Sequence, residues 1–210
     1  MQRHNVPKHW GRLSRRVNYM LNQALAFILQ NFTNLFLIAL LLRVYMQWMR
    51  VPFQNPFAQF VVKLTDVVVR PARRLVPGLF GVDMATLVLA VLLQWVLSLS
   101  LAGLAGFPFA VAGTGVWLGF LLIALVALLS LSCYVLMGLV FAVAVLSLVN
   151  PYSPYMVVFD SLTQPLLRPF RRWVPLIGNV DISPMVFLLM MQFIVNFPVA
   201  ALGMWAQRSV

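Results

Sequence analysis

The sequence is poor in charged residues, and above all in acids. Only 9% of its 210 residues are charged, and only four are acidic, whereas a soluble domain carries about 25% charged residues. Hydrophobic residues make up 62% of the chain, and apolar runs long enough to cross a hydrocarbon core of about 30 Å recur along it. The sequence therefore predicts an all-α, polytopic integral membrane protein.

Cysteine and histidine are almost absent as well. The single cysteine, Cys133, excludes an internal disulfide, and its apolar surroundings predict a packing role. His4 and His9 are the two histidines, so the spans hold no Ser/His or Cys/His set and no histidine to ligate haem. No P-loop or metal-ligand spacing is present. We expect no enzymatic activity, no cofactor and no metal.

One stretch of the sequence occurs twice. Residues 70–94, RPARRLVPGLFGVDMATLVLAVLLQ, match residues 168–192, RPFRRWVPLIGNVDISPMVFLLMMQ, at ten of 25 positions. Residues 20–49 and 118–147 align at the same offset of 98. A match at a fixed offset indicates one structural unit used twice.

Each unit holds two apolar spans joined by a polar connection, which predicts four transmembrane helices in two parallel repeats. The predicted organisation is a basic leader (1–19), a first repeat (20–106) with spans at about 24–49 and 84–104, an uncharged linker (107–117), a second repeat (118–205) with spans at about 118–147 and 184–205, and a tail (206–210). Because the repeat begins almost at Met20, we expect translation to start there and the leader to be a mis-assigned extension.

Both connections carry apolar residues at helical spacing, which predicts short amphipathic helices in the headgroup plane. These residues are Phe57, Phe60, Val61, Leu64 and Val68, and then Tyr155, Phe159, Leu162 and Leu166. The doubled motif follows, with prolines that bracket a short segment at Pro71 and Pro77 and at Pro169 and Pro175. If the first segment is helical, its three arginines share one face. Asp83 and Asp181 are expected to cap the next spans or to pair with arginines, and Ser183-Pro184 reads as an N-cap followed by proline.

The distribution of basic residues predicts the topology. Two spans per repeat bring both motif connections to one face, where eight basic residues lie, against six on the other face. By the positive-inside rule the motif connections are cytoplasmic and both termini lie on the outer face, which is the periplasmic face if the membrane is a bacterial inner membrane.

The doubled Arg-Pro-x-Arg-Arg-x-Val-Pro…Val-Asp pattern, with Leu64-Thr65 and Leu162-Thr163 ahead of its two copies, resembles the YggT family of small bacterial inner-membrane proteins. The resemblance covers Met20 to about Trp205. It implies a role in osmotic-stress tolerance or in envelope or division functions, and cytochrome maturation in plastid relatives, and it brings no established catalytic residues. The chain departs from the family's usual pair of glycines, with Phe80-Gly81 in one copy and Gly178-Asn179 in the other.

The arginines of the motif are the candidate binding residues. They are Arg70, Arg73, Arg74, Arg168, Arg171 and Arg172. Two interpretations stay open: they hold anionic headgroups or an acidic protein partner, or they only orient the chain. The net charge of +11 flanks apolar spans, so anionic lipid is a nearer partner than nucleic acid.

Four of the polar residues within the predicted spans are candidates for a role of their own: Arg43, Gln94, Gln192 and Asn196. Arg43 is a functional candidate as an intramembrane charge, but it lies near a span end, and we expect its side chain to extend to the interface. Gln94 and Gln192, at matching depths, and Asn196 are expected to hydrogen-bond between helices.

The sequence thus predicts a non-enzymatic adaptor, assembly or stress-tolerance factor that acts through its cytoplasmic arginine connections. The alternative is a small ion or solute transporter or channel subunit, since parallel repeats occur in transporters. Four spans leave little interior, so that alternative needs a homo-oligomer. The sequence does not name the partner.

Overall fold

The computed structural model describes residues 8–50, 55–74, 83–150, 152, 154–173 and 181–210. Within these ranges every regular element is helical. The helices are α1 (Lys8–Trp48), α2 (Pro56–Ala72), α3 (Met84–Leu104), α4 (Gly115–Val149), α5 (Pro154–Trp173), α6 (Ser183–Ile194) and α7 (Ala200–Gln207), with a π-helical turn (Val195–Val199) between the last two.

Four segments are long and apolar enough to span a membrane, as the sequence predicts. They are Arg16–Trp48, Met84–Leu104, Gly115–Val149 and Ser183–Gln207. Large apolar side chains such as Leu35, Val96 and Phe141 are exposed along them, as expected of surfaces that face lipid tails rather than water. The chain is an all-α, multi-pass membrane protein.

The two repeats use their helices in the same way. α1 packs against α3, and α4 packs against α6 and α7, while α2 and α5 each bridge the two spans of their own repeat. The repeats join where α4 contacts α1 and α3. The rings of Phe57 in α2 and Phe159 in α5 lie 5.2 Å apart, so both connection helices lie at the same end of the bundle.

α2 begins as its sequence dictates. The Asn55 side chain accepts a hydrogen bond from the Phe57 amide at 2.9 Å, and Pro56 occupies the first helical turn, a position where its missing N–H costs nothing. The helix buries Val61, whereas Phe60 and Leu64 of the predicted apolar set are exposed. α2 therefore has two apolar faces: one packs on the bundle, and the other is left for lipid.

The connection helices are longer than the proline positions predict. Pro71 lies inside α2, and Pro165 and Pro169 lie inside α5, so neither helix ends where the motif begins. Pro71 is one residue from the end of α2, where the neighbouring turn loses little by its missing donor. Pro77 and Pro175 fall outside the described residues.

The fourth span is interrupted where the second span, its counterpart in the first repeat, is not. Pro198 lies in the π-helical turn between α6 and α7, and the position 98 residues earlier, Ser100, lies in the unbroken α3. Proline removes a backbone donor and crowds the preceding turn, and a π-helical turn relieves both effects by widening the helix. The two repeats therefore have the same order of helices, but their second spans differ in continuity.

Candidate functional site

Arg43 is buried within the bundle rather than extended to the interface. Its side chain is 3% exposed, and its Nη1 donates to Asp66 Oδ1 at 2.8 Å, to Thr65 Oγ1 at 2.7 Å and to the Val62 carbonyl at 3.4 Å. The expectation that Arg43 extends to the interface is wrong, because α2 docks over this part of α1 and brings its own carboxylate. Thr65, the threonine of the Leu-Thr pair, is fully buried and orients the guanidinium.

Asp83 joins three helices at the same end of the bundle. Its Oδ2 accepts from Arg73 Nε at 2.8 Å and Nη2 at 2.5 Å, and from the Thr86 hydroxyl at 2.7 Å. Its backbone amide donates to Gln47 Oε1 at 3.2 Å, and Arg43 Nε lies 3.8 Å from its carboxylate. Asp83 occupies the N-cap position of α3, but its carboxylate binds Arg73 and Thr86 rather than a backbone amide.

The carboxylates of this cluster are held ionised. Burial alone would raise the pKa of Asp83, but the hydrogen bonds from Arg73 and Thr86 outweigh it and lower the pKa below the ordinary value of 3.8. The pKa of Asp66 is also lowered, with burial again opposed by the hydrogen bond and charge of Arg43 and by Arg70, whose Nε lies 3.1 Å from Asp66. We call Arg43, Thr65, Asp66, Arg73 and Asp83 the first-repeat ion cluster.

The second repeat keeps only the outer part of this arrangement. Arg171 Nε donates to Asp181 Oδ2 at 2.8 Å, and the Ser183 amide donates to Asp181 Oδ1 at 2.9 Å. Asp181 thus both pairs with arginine and caps a backbone donor, and burial is outweighed, so its pKa is lowered too. The helix starts at Ser183 after Ile182, so the predicted N-cap Ser183 is one residue late.

The inner ion pair has no counterpart in the second repeat. Phe141 stands at the position of Arg43, and Gln164 at that of Asp66. Both are exposed, and Thr163, the counterpart of Thr65, donates to the Phe159 carbonyl of its own helix instead. The second repeat lacks both charges, and this joint replacement is the sequence signal that pairs Arg43 with Asp66. The replacement of Arg43 by Phe141 does not by itself identify Asp66 as the partner.

The six motif arginines therefore do not form one surface. Arg73 and Arg171 are engaged by the aspartates before the spans, and Arg70 by Asp66 although it is 78% exposed. The remaining three are exposed and have no carboxylate partner among the described residues: Arg74, Arg168 and Arg172. The expectation that the arginines of the first copy share one face holds only for a helical segment, and this condition is not met, because α2 ends at Ala72 and Arg73 turns toward Asp83.

The intramembrane amides do not bond between helices. Gln94 is buried, and its Oε1 has no hydrogen-bond partner. Gln192 and Asn196 are exposed, and the latter lies in the π-helical turn. The interhelical hydrogen bonds predicted for these three residues are absent from the described part of the structure, because Gln94 and Asn196 each line an open cavity between helices and Gln192 is exposed. No cluster of metal-ligating side chains occurs among the residues described either.

Comparison with known proteins matches both repeats to one family. The model of the CCB3/YggT family matches residues 22–104 and 122–202. The chain is 36% identical over 178 residues to "Uncharacterized protein YggT" of Escherichia coli, covering 84% of this chain and 89% of that protein. An uncharacterized protein of Pseudomonas aeruginosa is 36% identical over 197 residues, covering 90% and 98% of the two chains. A protein of Haemophilus influenzae is 32% identical over 179 residues, covering 85% and 93%.

No solved structure matches this chain. The two matched segments hold the two hairpins and their arginine connections, including the whole first-repeat ion cluster. On this evidence the chain belongs to the CCB3/YggT family of membrane proteins.

Proposed function

We propose that this protein is a non-enzymatic membrane adaptor that binds anionic groups through the unpaired arginines of its two connections. The observation that carries the proposal is that the motif arginines fall into two groups. Arg73 and Arg171 each bind the aspartate before a span, whereas Arg74, Arg168 and Arg172 are exposed and have no carboxylate partner within the part of the chain that the structure describes. Guanidinium groups bind phosphates and carboxylates through paired donors, so these three arginines are the ones available to a partner.

The arrangement of the two connections supports this proposal. α2 and α5 meet at one end of the bundle through the rings of Phe57 and Phe159, so the exposed arginines of both copies can act on one membrane surface or on one partner. The ion pairs Arg73–Asp83 and Arg171–Asp181 fix each connection to the span that follows it. This holds the neighbouring exposed arginines in place. A positive-inside charge needs no such fixed geometry.

Native mass spectrometry of the purified protein with phosphatidylglycerol and phosphatidylcholine tests the lipid form of the proposal. The variant Arg74→Gln/Arg172→Gln removes the same arginine from both repeats. A basic residue near an anionic surface contributes about 1 kcal/mol, so we expect this variant to lose about 30-fold in preference for phosphatidylglycerol. Arg16→Gln/Arg208→Gln removes two charges from the other end of the bundle and should keep the preference.

Photo-crosslinking in cells tests the protein form. A photoreactive residue in place of Trp173, which is exposed beside Arg172, should capture lipid or an acidic protein, whereas one in place of Val111, at the opposite end, should not capture the same species. The absence of both a phosphatidylglycerol preference and an acidic crosslinked partner would contradict the proposal. Ion flux in reconstituted liposomes would favour the transporter alternative, since an adaptor of this kind conducts nothing.

A further inference from the structure

α1 carries a row of amide side chains that continues into the membrane span. Asn18, Asn22, Gln30 and Asn34 lie four or eight residues apart, with Ala26 completing the series, so these residues follow one side of the helix. Asn18, Asn22 and Gln30 are exposed, and Asn34 is half-buried. We call these five residues the amide row.

Two contacts fix the depth of the amide row in the membrane. The Asn22 side chain donates to the carbonyl of Leu104, the last residue of α3, at 3.2 Å. At the other end of that helix, the Gln47 side chain accepts from the Asp83 amide. At about 1.5 Å a residue, Asn34 lies about 18 Å along α1 from Asn22 and about 20 Å from Gln47. The row therefore runs from the end opposite the connection helices to the middle of the bilayer.

Two adjoining cavities follow the amide row. The outer cavity, of about 480 Å³, lies between α1 and α3, and the first three residues of the row line it. The second, which we call the Gln94 cavity, has a volume of about 460 Å³ and lies between α1, α3 and α4, with the last two residues of the row in its wall. Leu101 lines both cavities, so together they form one groove. We call it the amide groove.

The deepest amides of the row have no partner within the described part of the protein. Gln30 and Asn34 make no side-chain hydrogen bond to any described residue, and both have surface open to the groove. An amide without a hydrogen bond is costly in hydrocarbon, because lipid tails neither donate nor accept. The groove therefore needs an occupant that supplies donors and acceptors to these side chains.

The second repeat shows that the fold of the hairpin does not require a polar row. The residues 98 positions after the three central members of the row are Phe120, Ala124 and Leu128. All three are buried. The same series of positions is therefore an apolar packing surface in α4, whereas in α1 it is polar and open.

Charge and access select the occupant. The described residues that line the groove include no charged side chain, so an ion or a phosphate would meet no opposite charge at this depth. The mouth of the outer cavity includes Asn18, Tyr19 and Gly106, which are exposed at the end of the bundle. Water enters there without crossing lipid, and it both donates and accepts hydrogen bonds. A roomy cavity with several polar groups in its wall is the kind that holds water.

We propose that the amide groove is filled with water from the end opposite the connection helices down to Asn34. Beyond Asn34, Leu37 and Leu40 are fully buried, so the groove ends blind and does not cross the membrane. It shortens the dry path across the bilayer to the stretch between Asn34 and Gln47, about 20 Å of helix. This site is separate from the arginine connections and does not rest on the function proposed for them.

The reaction of single cysteines with a charged, membrane-impermeant methanethiosulfonate tests the proposal, in a Cys133→Ala background and in intact and permeabilised cells. The reagent attacks the thiolate, which forms in water and is suppressed in apolar surroundings. Gln30→Cys and Asn34→Cys should react at least about tenfold faster than Leu29→Cys and Leu35→Cys, which lie one residue away and are exposed outside the groove. Labelling of the denatured protein confirms that each cysteine is intact.

The side and the path of the water are tested separately. Both groove cysteines should react from the side on which Val111→Cys reacts, because Val111 is exposed at the end where the groove opens. Ala26→Phe places a ring between the mouth of the groove and Asn34, and it should slow the reaction of Asn34→Cys several-fold. Ile28→Phe places the same ring at an exposed position outside the groove and should leave the rate unchanged.

Three results would overturn the inference. The first is that the groove cysteines react no faster than their neighbours outside it, and the second is that they react from the side opposite to Val111→Cys. The third is that Ala26→Phe, folded by size-exclusion chromatography, leaves the rate at Asn34→Cys unchanged. Slow reaction together with a photo-crosslink from position 30 to another protein would assign the groove to a partner helix, which also refutes the proposal. If Ala26→Phe does not fold, the comparison with Leu29→Cys and Leu35→Cys decides the matter.

Discussion

At the scale of single residues, the distinguishing feature is a buried guanidinium that serves two carboxylates. Arg43 bonds to Asp66 directly and lies beside Asp83, which Arg73 neutralises. Removing one partner of a buried pair is far more costly than replacing both, because it leaves a charge without compensation. The second repeat shows such a joint replacement, with Phe141 and Gln164.

This comparison gives a prediction for paired substitutions. Arg43→Phe alone should reduce the free energy of unfolding by about 3 kcal/mol, because Asp66 is left with only the exposed Arg70. Arg43→Phe with Asp66→Gln recreates the residues of the second repeat and should recover more than half of that loss. Unfolding by a denaturing detergent, monitored by circular dichroism, measures both. Additive losses in the double variant would contradict the pairing.

The lowered pKa of Asp83 sets a pH dependence. A carboxyl whose pKa is lower in the folded than in the unfolded state stabilises the fold at pH values above its ordinary pKa of 3.8. This contribution is lost as the pH falls through the pKa of the folded state. The melting temperature should therefore hold from pH 7 to about pH 4 and fall below it. Asp83→Asn should flatten the acid branch. Asp160→Asn is the control, since Asp160 pairs with no arginine in the described structure.

At the scale of elements, the connection helices organise the site. The spans follow from the length of the apolar runs alone, which is why their predicted bounds agree with the structure within a few residues. The exception is the first span, which begins at Arg16 rather than at residue 24. The environment of Arg43 does not follow in the same way. Its partner lies in a separate helix, and only the docking of α2 against α1 brings Asp66 within 2.8 Å. A pattern in one span cannot show which face of another helix will cover it.

The contact between the connection helices is testable by crosslinking. In a Cys133→Ala background, cysteines in place of Phe57 and Phe159, whose rings lie 5.2 Å apart, should be joined rapidly by a short bifunctional thiol reagent. A cysteine pair at Phe57 and Trp205, which lie at opposite ends of the bundle, should not. Mass spectrometry of the intact protein distinguishes the two outcomes. Equal reaction of both pairs would mean that α2 and α5 are not neighbours.

At the scale of the whole molecule, two hairpins with the same order of helices meet where α4 packs against α1 and α3. The internal repeat predicts this arrangement, since an even number of spans per unit returns the chain to the same side. It does not predict the Gln94 cavity, which exists only because α1, α3 and α4 leave a gap between side chains. The compartment that each end faces stays a prediction from the positive-inside rule.

Cysteine accessibility in intact cells checks this orientation. Arg74, Trp173 and Val111 are all exposed, so a membrane-impermeant thiol reagent should reach any of them from its own side. In a Cys133→Ala background we expect Val111→Cys to be labelled directly, and Arg74→Cys and Trp173→Cys only after permeabilisation. Direct labelling of the latter two would reverse the orientation. Labelling of Arg74→Cys and Trp173→Cys from different sides would refute the parallel arrangement.

The widened turn at Pro198 has a consequence for how the molecule meets a change of bilayer thickness. The two spans of the first hairpin are continuous α-helices held by the first-repeat ion cluster, whereas the last span of the second hairpin is interrupted at Val195–Val199, and Phe141 and Gln164 replace the inner ion pair. Adaptation to thinner or thicker lipid should therefore be carried mainly by the second hairpin, as tilt or bending at its break. Hydrogen–deuterium exchange in short-chain and long-chain nanodiscs should show it, with amides after Asn196 changing their protection while those around Gln94 keep theirs.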